Sequence, residues 1–315
     1  MPLADDALLR ELFGDLWRSI IWLRSHWDHW NATPNGRPQP YDAEARRRLW
    51  LVCELGDGVH MTLVRGGRFN PIAAHALARS TFEAGLACSW LLVGSEGPDR
   101  DLPGNHSEIA RRHLALVQEQ CGWIRRVAKE MSAGGLDGDR WASGAESEHD
   151  RLLRLASLYF PQEDWPFDLP AVPSVRNLLD LMNLRRLYHG YMISSQFTHG
   201  TAMGARELHP LRTDGFSSND VSLAAGQVVW GLVLASRAYV RRPEGEGLSL
   251  LHGSPLEDVQ ETLTALWTRD VERSDPSAIP STLTSPSRPA TVATPSPPSR
   301  PVHVDQGRDE TDPRP

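Results

Sequence analysis

Tyr191, Ser195 and His199 recur at every fourth position of "YMISSQFTHGT" (Tyr191–Thr201). On an α-helix that spacing lines a phenol, a hydroxyl and an imidazole along one face. A histidine held by a carboxylate can move protons near neutral pH, which makes His199 the candidate acid or base. The candidate carboxylate lies in an earlier segment, "HALARSTFEAG", where His75, Arg79 and Glu83 again fall every fourth residue. Ile72, Leu77, Phe82, Leu86 and Trp90 make that helix apolar around much of its circumference, so it is expected to be largely buried. A buried Arg or Glu needs a partner, because an unpaired interior charge is costly. The two stripes are therefore expected to face each other. In the functional version Glu83 orients His199, and Arg79 and Ser195 bind a polar or anionic ligand group, with Tyr191 and His75 beside them. In the structural version the same residues form a hydrogen-bond network that fixes helix register and touches no substrate.

The elements that must position these stripes are helical. Apolar residues recur at three and four almost everywhere and strict alternation is nearly absent, which predicts an all-α fold. Helices are expected over about Asp5–Asn31, Asp42–Val64, Asn70–Val93, Ser107–Met131, Glu146–Phe160, Val175–His199, Asn219–Arg241 and Leu256–Glu272. Asn70 and Pro71 supply an N-cap and a first helical residue, and Gly66-Gly67 and Gly134-Gly135 supply stops. Gly190 is a candidate kink. The proline-rich stretch Pro161–Pro173 reads as a crossing connection over the bundle. With no internal repeat and no boundary inside 1–272, the expectation is one irregular bundle of about eight helices.

The two segments "RSTFEA" (Arg79–Ala84) and "YMISSQFTHG" (Tyr191–Gly200) are similar to a bacterial all-helical domain family of unknown function. That family carries Arg-Ser-x-Phe-Glu-Ala in one helix and Tyr-x3-Ser-x3-His-Gly in a later one. The resemblance spans roughly Asp42 to Val240. It implies a helical fold in which the two segments pack together, and it brings no activity with it.

Composition sets the remaining bounds. Residues 273–315 hold ten of the 24 prolines and no aromatic residue, too little apolar surface to offset ordering entropy, so a disordered tail is expected there. Its "TPSPPSRP" (Thr294–Pro301) suits a spacer, with polyproline docking or phosphorylation as alternatives. The tail's five Arg balance five acids, which leaves the net charge of −7 on residues 1–272 and argues against a broad nucleic-acid surface. Lys129 is the one lysine among 33 basic residues, so arginine content carries no functional signal. Cys53, Cys88 and Cys121 are widely spaced within apolar helical patterns, as reduced core thiols would be. The acidic "MPLADDALLRELFGD" has no basic n-region and no long apolar run, so no signal peptide is expected, and "VVWGLVLA" (Val228–Ala235) is too short for a membrane span, so a cytoplasmic location is expected.

Other chemistries match less well. HEPN-type ribonucleases use Arg-x4–6-His, and Arg24/His29, Arg68/His75 and Arg100/His106 have that spacing, as chance alone would supply in so arginine-rich a chain. His199 lacks such an Arg upstream. A metal-independent ribonuclease effector of a defence or toxin-antitoxin system, with His199 as acid/base and Arg79 on the phosphate, is nevertheless the alternative function. Glu146-x2-His149 has di-iron spacing but no second such motif, so no metal and no cofactor is implied. Phosphate-loop and nucleophile-elbow motifs are absent from the sequence. Trp27 and Trp30, flanked by His26, Asp28 and His29, are candidates for a homodimer contact. The leading expectation is a small ligand or a protein bound at the polar cluster, with no membrane or nucleic-acid partner.

Overall fold

Helix starts follow from capping chemistry. In a computed structural model, which describes residues 7–32, 39–65, 71–94, 105–163, 165–166, 168–198, 218–240 and 254–274, three helices open on a proline. These are α2 (Pro40–Arg65), α3 (Pro71–Leu92) and α9 (Pro255–Ser274), and a proline in the first turn lacks only an N–H that the helix could not use. α4 (His106–Ala133) is capped by Asn105, whose side chain accepts from the Ser107 N–H, and it stops at Gly134. α1 is Ala7–Ala32, α5 is Asp139–Tyr159 and α8 is Ser218–Val240. Among the described residues there are nine α-helices and no strand, so the all-α reading holds. The expected tail, 273–315, lies almost wholly outside them.

The ninth helix comes from a break that the sequence pattern hides. In place of one helix from Val175 to His199, α6 (Val175–Leu181) ends at Met182, and a 3-10 turn (Arg185–Leu187) leads into α7 (Tyr188–Thr198). Asn183 has φ 55°, the Leu184 N–H reaches back to the Leu179 carbonyl at 2.7 Å, and the Asn183 N–H reaches Asp180 at 3.2 Å. That is a left-handed helix stop with asparagine in the glycine position. The break is therefore at Asn183, and Gly190 lies within α7. α5 also begins well before Glu146, which sits on its exposed middle.

The main core is built from α1, α2, α3, α8 and α9, with Leu12, Leu16, Leu49, Val52, Ala78, Leu91, Val228, Leu232 and Leu263 inside it. α8 is central and pairs most extensively with α3. It is long and apolar enough to cross a bilayer, yet 83% of the Val221–Tyr239 stretch is buried in the fold, as befits a core helix. α1 and α9 are joined through a buried carboxylate: Asp15 pairs with Arg18 and accepts from Thr262 Oγ1 at 2.7 Å, while Ser19 Oγ lies 2.9 Å from the Pro255 carbonyl. Buried charge is tolerated there because it is partnered.

Two smaller cores flank the main one. Leu114, Val117, Cys121, Leu152 and Ala156 close the α4–α5 hairpin. Phe82, Leu86, Trp90, Leu178, Leu179 and Leu234 seat α6 and α7 on α3 and α8. Leu169 packs against both, and Arg111 holds the same stretch through Glu163 at 2.8 Å and the Asp168 carbonyl at 3.2 Å. The segment after α5 thus bridges the two layers.

Candidate functional site

α3 and α7 meet through two polar contacts one turn apart. Arg79 Nε donates to Glu83 Oε1 at 2.9 Å, and the Tyr191 hydroxyl donates to the same oxygen at 2.8 Å. Arg79 Nη2 lies 3.1 Å from the Tyr191 hydroxyl, and its guanidinium stands 5.0 Å from the ring centroid. Deeper in, His75 Nδ1 is 2.9 Å from Ser194 Oγ, with both residues fully buried. Tyr191 also stacks on Tyr188 and tilts against Phe82.

The expected juxtaposition of the two segments is thus present, with different pairings. Glu83 is engaged by Arg79 and Tyr191, and His199, which it was expected to orient, lies outside the described residues. Ser194 takes the histidine contact, and Ser195 is half-buried beside it. Burial, then the bond to Glu83 and its charge, push the Tyr191 phenol up to about 12, with Arg79 opposing. The phenol therefore stays a donor at neutral pH. Arg79 is 17% exposed and Glu83 38%, so the triad is a half-solvated, internally balanced ion pair.

Such an arrangement fixes helix register better than it captures an anion, since Arg79 already has its carboxylate. Tyr191→Phe should cost about 1 kcal/mol, because water can replace only part of what Glu83 loses. Urea unfolding of the two proteins checks this. A variant as stable as wild type would show the hydroxyl to be dispensable.

Behind α7 lies a feature that the spacing did not reveal. A cavity of about 190 Å³ is lined by Phe82 of α3, Arg186 and Leu187 of the 3-10 turn, His189 and Gly190 of α7, Leu223, Gly226, Gln227 and Trp230 of α8, and Trp267 of α9. Two glycines shape its walls: a Cβ at Gly226 would stand 2.8 Å from Trp267, and one at Gly190 would stand 2.9 Å from Leu223. Gln227 Nε2 donates to the Gly190 carbonyl at 2.8 Å. Because a carbonyl can only accept, that bond identifies the nitrogen and leaves Oε1 on the other side. Oε1 is buried and, among the described residues, has no hydrogen-bond partner. The available signal was Gln227 itself, the single amide in "VSLAAGQVVWGLVLA" (Val221–Ala235).

The remaining candidates fall elsewhere. Of the Arg-x4–6-His matches, Arg24 pairs with Glu54 at 2.7 Å, His75 is sealed in the core, and Arg68 and Arg100 lie outside the described residues. Glu146 and His149 lie on α5, away from both polar contacts, and among the described residues no three His, Cys, Asp or Glu cluster as a metal site would. Cys53, Cys88 and Cys121 are free and buried, and burial pushes the Cys53 and Cys88 thiols up to about 12, which keeps them protonated at neutral pH. The side chains of Trp27 and Trp30 and the stretch Thr294–Pro301 lie outside the described residues. Compared with family models, with characterised proteins and with solved structures, the chain matches none.

Proposed function

We propose that this helical protein binds a small organic ligand in the cavity between α7, α8 and α9, and that the Arg79–Glu83–Tyr191 triad holds α7 in place to form its wall. The observation that carries the reading is the cavity itself, mostly apolar and kept open at Gly190 and Gly226, where a Cβ would meet Leu223 at 2.9 Å and Trp267 at 2.8 Å. Apolar walls that face such a space are left in contact with water, and an apolar ligand would cover them. Phe82 connects the two parts, since it touches Tyr191 on one side and lines the cavity on the other. Ligand sites of this kind combine apolar walls with a few placed polar groups.

Size limits the occupant. A cavity near 150 Å³ accommodates benzene, so about 190 Å³ suits one ring or two fused rings. Thermal unfolding with one- and two-ring aromatic compounds tests the reading, because a ligand that binds only the folded state raises the midpoint. The wild type should shift with at least one of them at millimolar concentration. Leu223→Phe, which fills the cavity from α8, should keep its helical circular dichroism and lose the shift. No shift for any ring compound in the wild type would remove the proposal.

A further inference from the structure

We infer that the protein self-associates through the distal half of the α4–α5 hairpin, two copies crossing antiparallel so that their hairpins form a four-helix bundle. In α4, Ile109, Arg112, Leu116, Trp123 and Val127 follow one another at three, four or seven residues and so share a stripe. The first part of that stripe sits on the body of the fold. Ile109 belongs to the main core, Arg112 Nε donates to the Leu91 carbonyl at 3.0 Å, and Leu116 packs against the same core. In α5, Trp141 stands about five turns before Tyr159, which stacks on Tyr41 of α2, so these two residues also share a face.

Further along the hairpin the same face continues without the body. Among the described residues, no part of α4 after Cys121 and no part of α5 before Leu152 belongs to any of the three cores. Trp123 is nevertheless the next large residue of the stripe, 51% exposed and set edge to face against Trp141 with 5.9 Å between centroids. Val127 and Met131 beyond it are half-buried, and Leu136 at the tip is exposed. Paired exposed tryptophans that extend a packed face mark a contact surface.

Charge selects the occupant. Beside the stripe lie Glu119, Arg126 and Glu130 of α4 and Arg140 of α5, all exposed, two acids and two bases. A surface so balanced can meet its own copy without net repulsion. An antiparallel crossing sets the part of one hairpin nearest its body against the tip of the other. That brings Glu119, one turn before Trp123, to the level of Arg140 of the second copy, which adjoins Trp141 near the tip. Residues 275–315 suit the face less well, since they hold ten prolines and no aromatic residue to pack on the tryptophans.

Sedimentation velocity of the full chain from about 1 to about 300 µM tests this, because so small a contact is expected to bind in the micromolar range. The wild type should pass from monomer to dimer across that interval. Trp123→Ala alters an exposed side chain and should keep the helical circular dichroism. It should weaken the dimer at least about a hundredfold, as the ring is used twice about the two-fold axis. Glu119→Arg and Arg140→Glu should each weaken it about tenfold, because two attractive pairs become repulsive, and the two substitutions together should restore it. A wild type that stays monomeric throughout would leave the face to the tail or to another protein and overturns the proposal, as does a dimer that Trp123→Ala leaves intact. Single reversals without effect, or a double reversal no better than either alone, overturn the antiparallel crossing.

Discussion

Gly85→Ala should destabilise the protein by about 3 kcal/mol or more, although it adds one methyl group to a helix. The reason is that α3 and α8 touch backbone to backbone. A Cβ at Gly85 would stand 2.4 Å from the Gly231 carbonyl oxygen and 2.7 Å from its Cα, and a Cβ at Gly231 would stand 2.7 Å from the Thr81 carbonyl oxygen. Side chains can rotate away from an added atom, but a helix backbone can yield only by moving the whole element. Both glycines lie on the most extensive helix pair of the fold, so separation would loosen the core around Ala78, Val228 and Leu232. It would also move Phe82 away from Gln227 and Trp230, and so open the cavity.

The same substitution elsewhere gives the control. At Gly122 in α4 the nearest atom to a new Cβ is Arg126 Nη1, at 3.9 Å. Gly122→Ala should therefore raise stability by about 0.5–1 kcal/mol through lower unfolded-state entropy. Urea unfolding of both variants should show shifts of opposite sign. If Gly85→Ala stays within about 0.5 kcal/mol of wild type, the range of an ordinary surface change, α3 and α8 are not in backbone contact.

What the sequence reveals about this fold is what depends on local periodicity. Arg79 and Glu83 pair because residues four apart share a helix face, and the apolar residues around them correctly placed that helix in the core. The partner segment was also legible, since a buried polar stripe needs another. The exact pairing was not, because Ser194, three residues after Tyr191, shares its helix face as well as Ser195, four residues after it, does. The break at Asn183 was also hidden, since asparagine announces a left-handed residue far less plainly than glycine does.

The cavity was harder to see, for a different reason. Its walls come from α3, α7, α8, α9 and the 3-10 turn, and no single helix carries the pattern. Space between helices depends on the absence of side chains, here at Gly190 and Gly226, and on how closely neighbouring axes approach. In the sequence Gly190 reads as a candidate kink, and Gly226 gives no signal of its own. Gln227 was the one clue available, a lone amide in an apolar run that had to satisfy itself or a ligand.

Lowering the pH from about 6.5 to about 4 should cost the protein on the order of 3 kcal/mol through His113 alone. This histidine is 1% exposed, with Nδ1 2.7 Å from the Tyr159 hydroxyl, and its Nε2 is buried with no partner among the described residues. Its pKa is lowered to about 4, first by burial; Glu44 opposes, and Arg151, Arg48 and Arg47 add to the depression. Between the two pKa values the unfolded chain binds a proton at this site and the native chain does not, so stability rises with pH. The contribution is complete above the unfolded value near 6.5, is lost as the pH falls toward 4, and changes little below that. Carboxylates with ordinary pKa values begin to respond only below about pH 5, which leaves pH 5 to 6.5 as the diagnostic interval. His113→Gln removes the titrating group whatever it does to stability at pH 7.5, so its urea midpoint should vary less across that interval than the wild-type midpoint. The neutral imidazole has a structural reason, because the Tyr159 ring against it also stacks on Tyr41 and joins α4 and α5 to α2. A proton on His113 would place a cation at that junction with Arg47, Arg48 and Arg151 nearby, and only Glu44, already shared by Arg47 and Arg48, to balance it. Parallel pH profiles for the two proteins would mean that the junction tolerates the charge and that acid sensitivity arises elsewhere.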